Sequence, residues 1–115
     1  MKNQPTLELK ELKIIDQVLV VPLYASGPDK LLKATELALS YIKSLHDKIN
    51  ETIKKIENEE IEIPDFSPSE FESLVKVYVE SVSLAKEFDD IQTLTGYSEE
   101  EVDALVDKLK NNLVG

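Results

Sequence analysis

His46 is the single histidine of the chain, and its neighbours decide what chemistry it could do. It has Asp47 beside it but no glutamate three residues earlier, so the Glu-x-x-His unit of di-iron helical bundles is missing. The chain contains no cysteine, which excludes both a thiolate metal site and a disulfide. We therefore expect His46 to be a surface histidine without a catalytic role.

Carboxylates crowd the middle of the chain, where they could in principle bind a divalent cation. Their spacing is not that of an EF-hand, and the central glycine of such a loop is absent; the run is Glu57, Glu59, Glu60, Glu62 and Asp65. No Gly-x-Ser-x-Gly turn and no glycine-rich phosphate loop is present. The sequence predicts no catalytic residue, no metal and no cofactor, and hence not an enzyme.

The charge balance points away from nucleic acid. All 13 basic side chains are lysines, set against 23 carboxylates, and the formal net charge is −10. Arginine provides the bidentate fork that binds phosphate, and a negative surface repels polyanions. We expect no nucleic-acid partner.

Length and composition indicate one globular domain, residues 1–115. The apolar fraction of 42% and the charged fraction of 31% are typical of a folded chain. The longest apolar stretch, Val18 to Leu23, is too short to span a bilayer, and the first residues do not resemble a signal peptide. A cytoplasmic location without membrane contact is the expectation.

The N-terminal arm (residues 1–23) has two interpretations. Leu12, Ile15 and Leu19 have helical spacing, whereas the β-branched cluster and the alternation around Leu9 also suit a strand. We favour a helix that ends at Pro22.

Periodicity predicts two long helices after the arm. The first covers 29–60, is capped by Ser26 or Asp29, and carries an inward stripe of Leu31, Ala34, Ala38, Ile42, Leu45, Ile49, Ile53 and Ile56. The second covers 68–95 and carries Phe71, Val75, Tyr78, Val82 and Ala85. The sequence Ser67-Pro68-Ser69-Glu70 starts it as a capping box.

A shorter helix closes the chain. Gly96 supplies the stop before it, and Ser98-Glu99-Glu100-Glu101 forms another capping box. Its inward residues are Val102, Leu105, Val106 and Leu109. The fold class is therefore all-α, a small bundle of four to five helices, with the N-terminal arm as the one segment that could be a strand.

Residues 88–113 resemble the helix-turn-helix of winged-helix regulators. Ile91 and Leu94 match the inward positions of its first helix, Thr95-Gly96 the turn and Tyr97 the apolar position after it, while Val102, Leu105 and Leu109 match the core of its second helix. The resemblance implies a regulator that binds DNA. Four carboxylates, Glu99, Glu100, Glu101 and Asp103, stand where groove-reading helices carry Arg, Lys, Asn or Gln.

Wide apolar faces and missing site chemistry favour a non-enzymatic protein-interaction or oligomerisation module, its partner another protein or a second copy in a dimer. The residues predicted to associate are Ile14, Ile15, Val18, Leu19, Val21 and Leu23, together with the acidic set Glu99, Glu100, Glu101 and Asp103. Two alternatives remain: an acidic nucleic-acid mimic that inhibits a polymerase or defence nuclease, and a helix-turn-helix regulator.

Overall fold

Helices make up most of the computed structural model, which describes residues 7–25, 27–60, 66–87 and 90–114. The six α-helices are α1 (Leu9–Val20), α2 (Asp29–Thr35), α3 (Leu39–Glu57), α4 (Pro68–Ala85), α5 (Ile91–Thr95) and α6 (Glu99–Val114). No strand occurs in these ranges. The predicted all-α bundle is confirmed, with six helices in place of four to five.

The N-terminal arm is a helix, as favoured, and not a strand from Leu9 onward. Glu8 and Glu11 form a capping box at its start, the Glu8 N–H donating to Glu11 Oε1 at 2.8 Å. The α-helix ends at Val20, and Pro22 lies within a π-helical turn over Val21–Ala25. Proline has no N–H and its ring crowds the carbonyl four residues earlier, so the regular helix cannot continue through it.

The predicted helix over 29–60 is wrong as a single rod. It breaks between α2 and α3, where Glu36 has φ 58° and Ala38 is extended. Thr35 supports the break because its hydroxyl donates to the Leu31 carbonyl at 2.8 Å and accepts from the Leu37 N–H at 3.3 Å. Two stripe positions, Ala34 and Ala38, are consequently exposed. Asp29 is the first helical residue of α2, and Ser26, the other expected cap, lies outside the described residues.

The predicted helix over 68–95 also divides. Helix α4 begins at the expected capping box, with the Glu70 N–H donating to Ser67 Oγ at 3.1 Å, but it ends at Ala85. Asp90 caps the separate helix α5 by accepting from the Thr93 N–H at 3.1 Å. Gly96 ends α5 with φ 83°, as its residue type predicts.

One apolar core joins the helices, and α4 runs through its centre. The most extensive contacts join α1 to α3 and α4, and α4 to α2 and α6. The inward residues of α4 predicted from periodicity are all buried, and Tyr78 is fully so. Its hydroxyl donates to the Val102 carbonyl at 2.9 Å, which satisfies the one polar atom that this side chain brings into the core.

None of the helices described is long and apolar enough to cross a membrane.

Candidate functional site

The six apolar residues expected to associate lie in the core of a single copy. Their exposed fractions are at most 6%; they are Ile14, Ile15, Val18, Leu19, Val21 and Leu23. Side chains this buried cannot contact a partner while α1 and the π-helical turn after it stay in place. Their role in association stays a prediction, and it would require α1 to exchange between two copies.

The four acidic residues predicted at the start of α6 fall into two pairs. Glu99 and Glu100 are exposed. Glu101 instead reaches across to α1, where its carboxylate lies 2.5 Å from Lys10 Nζ, and this hydrogen bond lowers the pKa of Glu101. Asp103 lies 2.8 Å from Lys86 Nζ, and that bond raises the pKa of the lysine.

Helix α6 carries a further solvent-facing carboxylate one turn after Asp103. Asp107 is exposed and follows Asp103 by four residues, as Asp103 follows Glu99. Residues four apart on a helix share a face. We call Glu99, Glu100, Asp103 and Asp107 the acidic face of α6. Sequence reasoning named three of these residues and missed Asp107, although the four-residue spacing indicates it.

His46 is not the surface residue that the sequence predicted. Its side chain is 8% exposed, and Nε2 lies 2.6 Å from Asp16 Oδ1 on α1. The exposed Tyr24 ring covers it, with ring centroids 5.9 Å apart, and Lys43 Nζ lies 5.6 Å from that ring. The histidine therefore joins α3 to α1 from beneath the π-helical turn.

Two side-chain amides complete the polar cluster around Asp16. Asn50 Nδ2 donates to Asp16 Oδ1 at 3.0 Å and to the His46 carbonyl at 3.1 Å. Gln17 Nε2 donates to Asp16 Oδ2 at 3.1 Å. Asp16 thus accepts from residues on both α1 and α3, and this offsets the cost of burying its charge.

A cleft of about 450 Å³ with both polar and apolar walls opens beside this cluster, between α1, α3 and the turn that joins α5 to α6. Its lining residues are Lys13, Asp16, Gln17, Asn50, Ile53, Thr95, Gly96 and Tyr97. Lys13 is neutralised by Glu57, whose Oε2 lies 3.0 Å from Nζ. The cleft is open to solvent along much of its surface. The sequence did not predict the cleft. The one available signal was that His46 and Asn50, which both contact Asp16, are four residues apart and so share one face of α3.

The segment that resembles a helix-turn-helix does form two helices joined by a turn. Ile91 is buried, as are Val102, Leu105 and Leu109. The prediction that Leu94 faces inward is wrong, because the residue is 40% exposed. Phe88 lies outside the described residues. These placements leave the DNA-binding role that the resemblance implies as a hypothesis.

The carboxylate run near the end of α3 is solvent-facing where it is described, at Glu57, Glu59 and Glu60. Glu62 and Asp65 lie outside the described residues. In the ranges that the structure covers, no three histidine, cysteine or carboxylate side chains come together as a metal site.

Comparison with protein families, with curated proteins and with solved structures gave no match to this chain. Any function must therefore be inferred from the geometry of the cleft and of the acidic face of α6.

Proposed function

We propose that the protein is a non-enzymatic interaction module that binds a basic surface of a partner protein through the acidic face of α6. The observation that carries the proposal is the row of carboxylates on consecutive turns of α6, of which Glu99, Glu100 and Asp107 are exposed. Such a row attracts a complementary positive patch, speeds encounter and fixes its orientation. A cytoplasmic location belongs to the same proposal.

The burial of the N-terminal apolar residues favours a partner over a second copy. Association through Ile15, Val18 or Leu19 would first have to expose side chains that are 0% exposed. Two copies of the acidic face would also repel each other, because like charges brought together at an interface cost several kcal/mol. A different protein with basic side chains meets neither obstacle.

DNA binding by α6 is disfavoured for the same electrostatic reason. A helix entering the major groove with Glu99 and Glu100 leading would bring two exposed carboxylates towards phosphates. An inhibitor that imitates nucleic acid is compatible with the acidic face, since its partner would be a protein with a basic nucleic-acid groove. Competition by DNA for the partner separates this special case from other basic partners.

The test compares two triple variants that change the net charge equally. Glu99→Gln, Glu100→Gln and Asp107→Asn together neutralise the exposed part of the acidic face of α6. Glu51→Gln, Glu60→Gln and Glu72→Gln neutralise three exposed carboxylates elsewhere. Each variant and the wild type is used to purify partners from cells of the source organism, and the captured partner is then titrated against each by calorimetry.

We expect a basic partner that binds the wild type and the control variant and binds the α6 variant at least about tenfold more weakly, with affinity falling as salt rises. A DNA oligonucleotide that competes for this partner identifies a nucleic-acid mimic. Equal binding of the partner to all three proteins, or affinity that does not depend on salt, would refute the proposal.

A further inference from the structure

The amides that line the cleft, Asn50 and Gln17, direct their nitrogens to Asp16. A carboxylate oxygen only accepts hydrogen bonds, so the group that faces Asp16 must be an amide nitrogen. Both hydrogens of Asn50 Nδ2 are used, one by Asp16 Oδ1 at 3.0 Å and one by the His46 carbonyl at 3.1 Å. The oxygen of Asn50 is consequently the atom left to accept a further hydrogen bond, and no donor among the described residues reaches it.

Asp16, which also lines the cleft, contributes hydrogen-bond acceptors and no donor. Its Oδ1 is engaged by His46 and Asn50, whereas Oδ2 accepts from Gln17, an exposed side chain. The Asp16 side chain is 16% exposed, and it lines the cleft. The residues that line the cleft thus include three acceptor oxygens whose amide or carboxylate partners are already placed: Asp16 Oδ2 and the amide oxygens of Gln17 and Asn50. The cationic Lys13 is occupied by Glu57 at 3.0 Å.

We propose that this cleft binds the guanidinium group of an arginine side chain supplied by the partner protein. Guanidinium has five N–H donors in one plane and no acceptor, so it complements the oxygens of Asp16, Gln17 and Asn50. It also stacks on aromatic rings, and the half-buried Tyr97 lines the cleft. The chain contains no arginine, so the group must come from another molecule.

The inference rests on the proposed function and extends it. Tyr97 lies two residues before Glu99, so the cleft and the acidic face of α6 are joined through the capping residue Ser98. A partner segment with one arginine in the cleft can place further basic side chains over Glu99 and Glu100. The cleft then selects arginine, while the acidic face contributes attraction to any cation.

The direct test is an NMR titration of the ¹⁵N-labelled full chain with N-acetyl-L-arginine amide. The control ligand is N-acetyl-L-citrulline amide, which has nearly the same shape but is uncharged and carries a carbonyl acceptor. We expect arginine amide to shift the signals of Gln17, Asn50, Gly96 and Tyr97, and to bind at least about tenfold more tightly than citrulline amide, because charge-assisted hydrogen bonds are about twice as strong. Equal binding of the two ligands, or shifts confined to other residues, would overturn the inference.

Free L-arginine distinguishes a side chain from a metabolite. A cleft built for a partner's side chain should bind the blocked amide at least as tightly as the free amino acid. Tighter binding of free arginine by about tenfold or more would overturn the assignment to a partner protein.

Substitutions at Gln17 test the cleft without disturbing the core, since this side chain is exposed. Gln17→Lys should weaken arginine amide at least about tenfold by placing a cation at the wall, and Gln17→Glu should strengthen it several-fold. Ser83→Lys and Ser83→Glu at an exposed position of α4 give the matched charge controls and should leave the affinity unchanged. Similar effects at Ser83 and Gln17 would attribute binding to net charge and overturn the inference.

The proposed function and the cleft inference can be refuted independently of each other. If Gln17→Lys leaves capture of the partner unchanged while neutralising the acidic face of α6 abolishes it, the proposed function holds and the cleft inference is wrong. If arginine amide binds the cleft but the α6 variant keeps its partner, the proposed function is wrong.

Discussion

Asp16 is the residue on which the candidate site depends. Its carboxylate is largely buried yet accepts hydrogen bonds from His46, Asn50 and Gln17. A buried carboxylate without such donors would be strongly destabilising. The same hydrogen bonds orient both amides, so one side chain ties α1 to α3 and also sets the polarity of the cleft wall.

Tyr78 is the titratable residue most deeply set in the core, and burial raises its pKa above the ordinary value, with Asp103 and Glu11 adding to the shift. The unfolded chain releases this proton near pH 10, whereas the folded chain retains it to higher pH. The folded state then binds more protons than the unfolded state, so the free energy of unfolding must fall as pH rises above about 10.

Replacing Tyr78 with Phe should remove the contribution of this residue to the fall in the free energy of unfolding at alkaline pH. At neutral pH the variant should be less stable by about 1 kcal/mol, since the hydrogen bond to the Val102 carbonyl is lost. Between pH 8 and pH 11 its stability should decline less than that of the wild type, as measured by urea unfolding. Tyr24→Phe, at an exposed position, is the control and should decline like the wild type. Parallel declines for the wild type and Tyr78→Phe would contradict the argument.

For individual residues, sequence patterns predict burial more successfully than they predict contacts between residues distant in the chain. Spacing of three and four identifies Ile42, Leu45 and Ile49 as core residues, because helical period and burial are linked locally. The contact between Asp16 and His46 joins residues 30 positions apart and depends on how α1 crosses α3. No local pattern contains that crossing, so the sequence alone predicts a surface position for His46.

At the scale of elements, helix ends follow local chemistry where a specific residue enforces them. Ser67 and Ser98 begin helices by capping, Gly96 ends one with a positive φ, and Pro22 ends α1. The break at residues 36–38 contains no glycine or proline from which the sequence could predict it. Its cause is tertiary, because α2 packs against α4 while α3 packs chiefly against α1, and one straight helix could not serve both.

Glu36 bears the conformational cost of this break. A residue with a Cβ is disfavoured in the left-handed region by about 1–2 kcal/mol, whereas glycine adopts that region without this penalty. Glycine, however, loses more conformational entropy on folding, which offsets part of the gain. Glu36→Gly should therefore raise the free energy of unfolding by about 0.5 kcal/mol. Glu51→Gly, within α3 and likewise exposed, should lower it by about 1 kcal/mol. Urea unfolding of both variants checks the opposite signs, and destabilisation by both would show that Glu36 is not strained.

On the scale of the whole molecule, nearly half of the 13 lysines link separate segments of the fold. Six of them pair with carboxylates on other elements within the described ranges: Lys10, Lys13, Lys30, Lys48, Lys86 and Lys108. Lys10 and Lys108 both link α1 with α6, through Glu101 and Glu11. These lysines are engaged within the molecule, so the excess of carboxylates stays without a matching cation, and the acidic face of α6 is one exposed part of that excess.

This charge distribution decides how salt affects stability. The ion pairs are short, between 2.5 and 3.4 Å, but partly exposed, so each contributes little to stability. Repulsion among the surplus carboxylates acts over longer distances and opposes the compact state. Raising NaCl from about 10 mM to about 1 M shortens the Debye length from about 30 Å to about 3 Å, so it screens the long-range repulsion more completely than the contact pairs.

Salt should therefore raise the melting temperature at pH 7, where the formal net charge is −10. The matched control is the same salt series near pH 4.5, the sequence pI, where the net repulsion is absent and any general salting-out effect persists. Differential scanning calorimetry at both pH values measures the difference. A melting temperature that falls with salt at pH 7 would mean that the interhelical ion pairs, and not the surplus charge, dominate the electrostatics of this fold. A rise of equal size at both pH values would assign the effect to salting-out, because only charge repulsion distinguishes the two conditions.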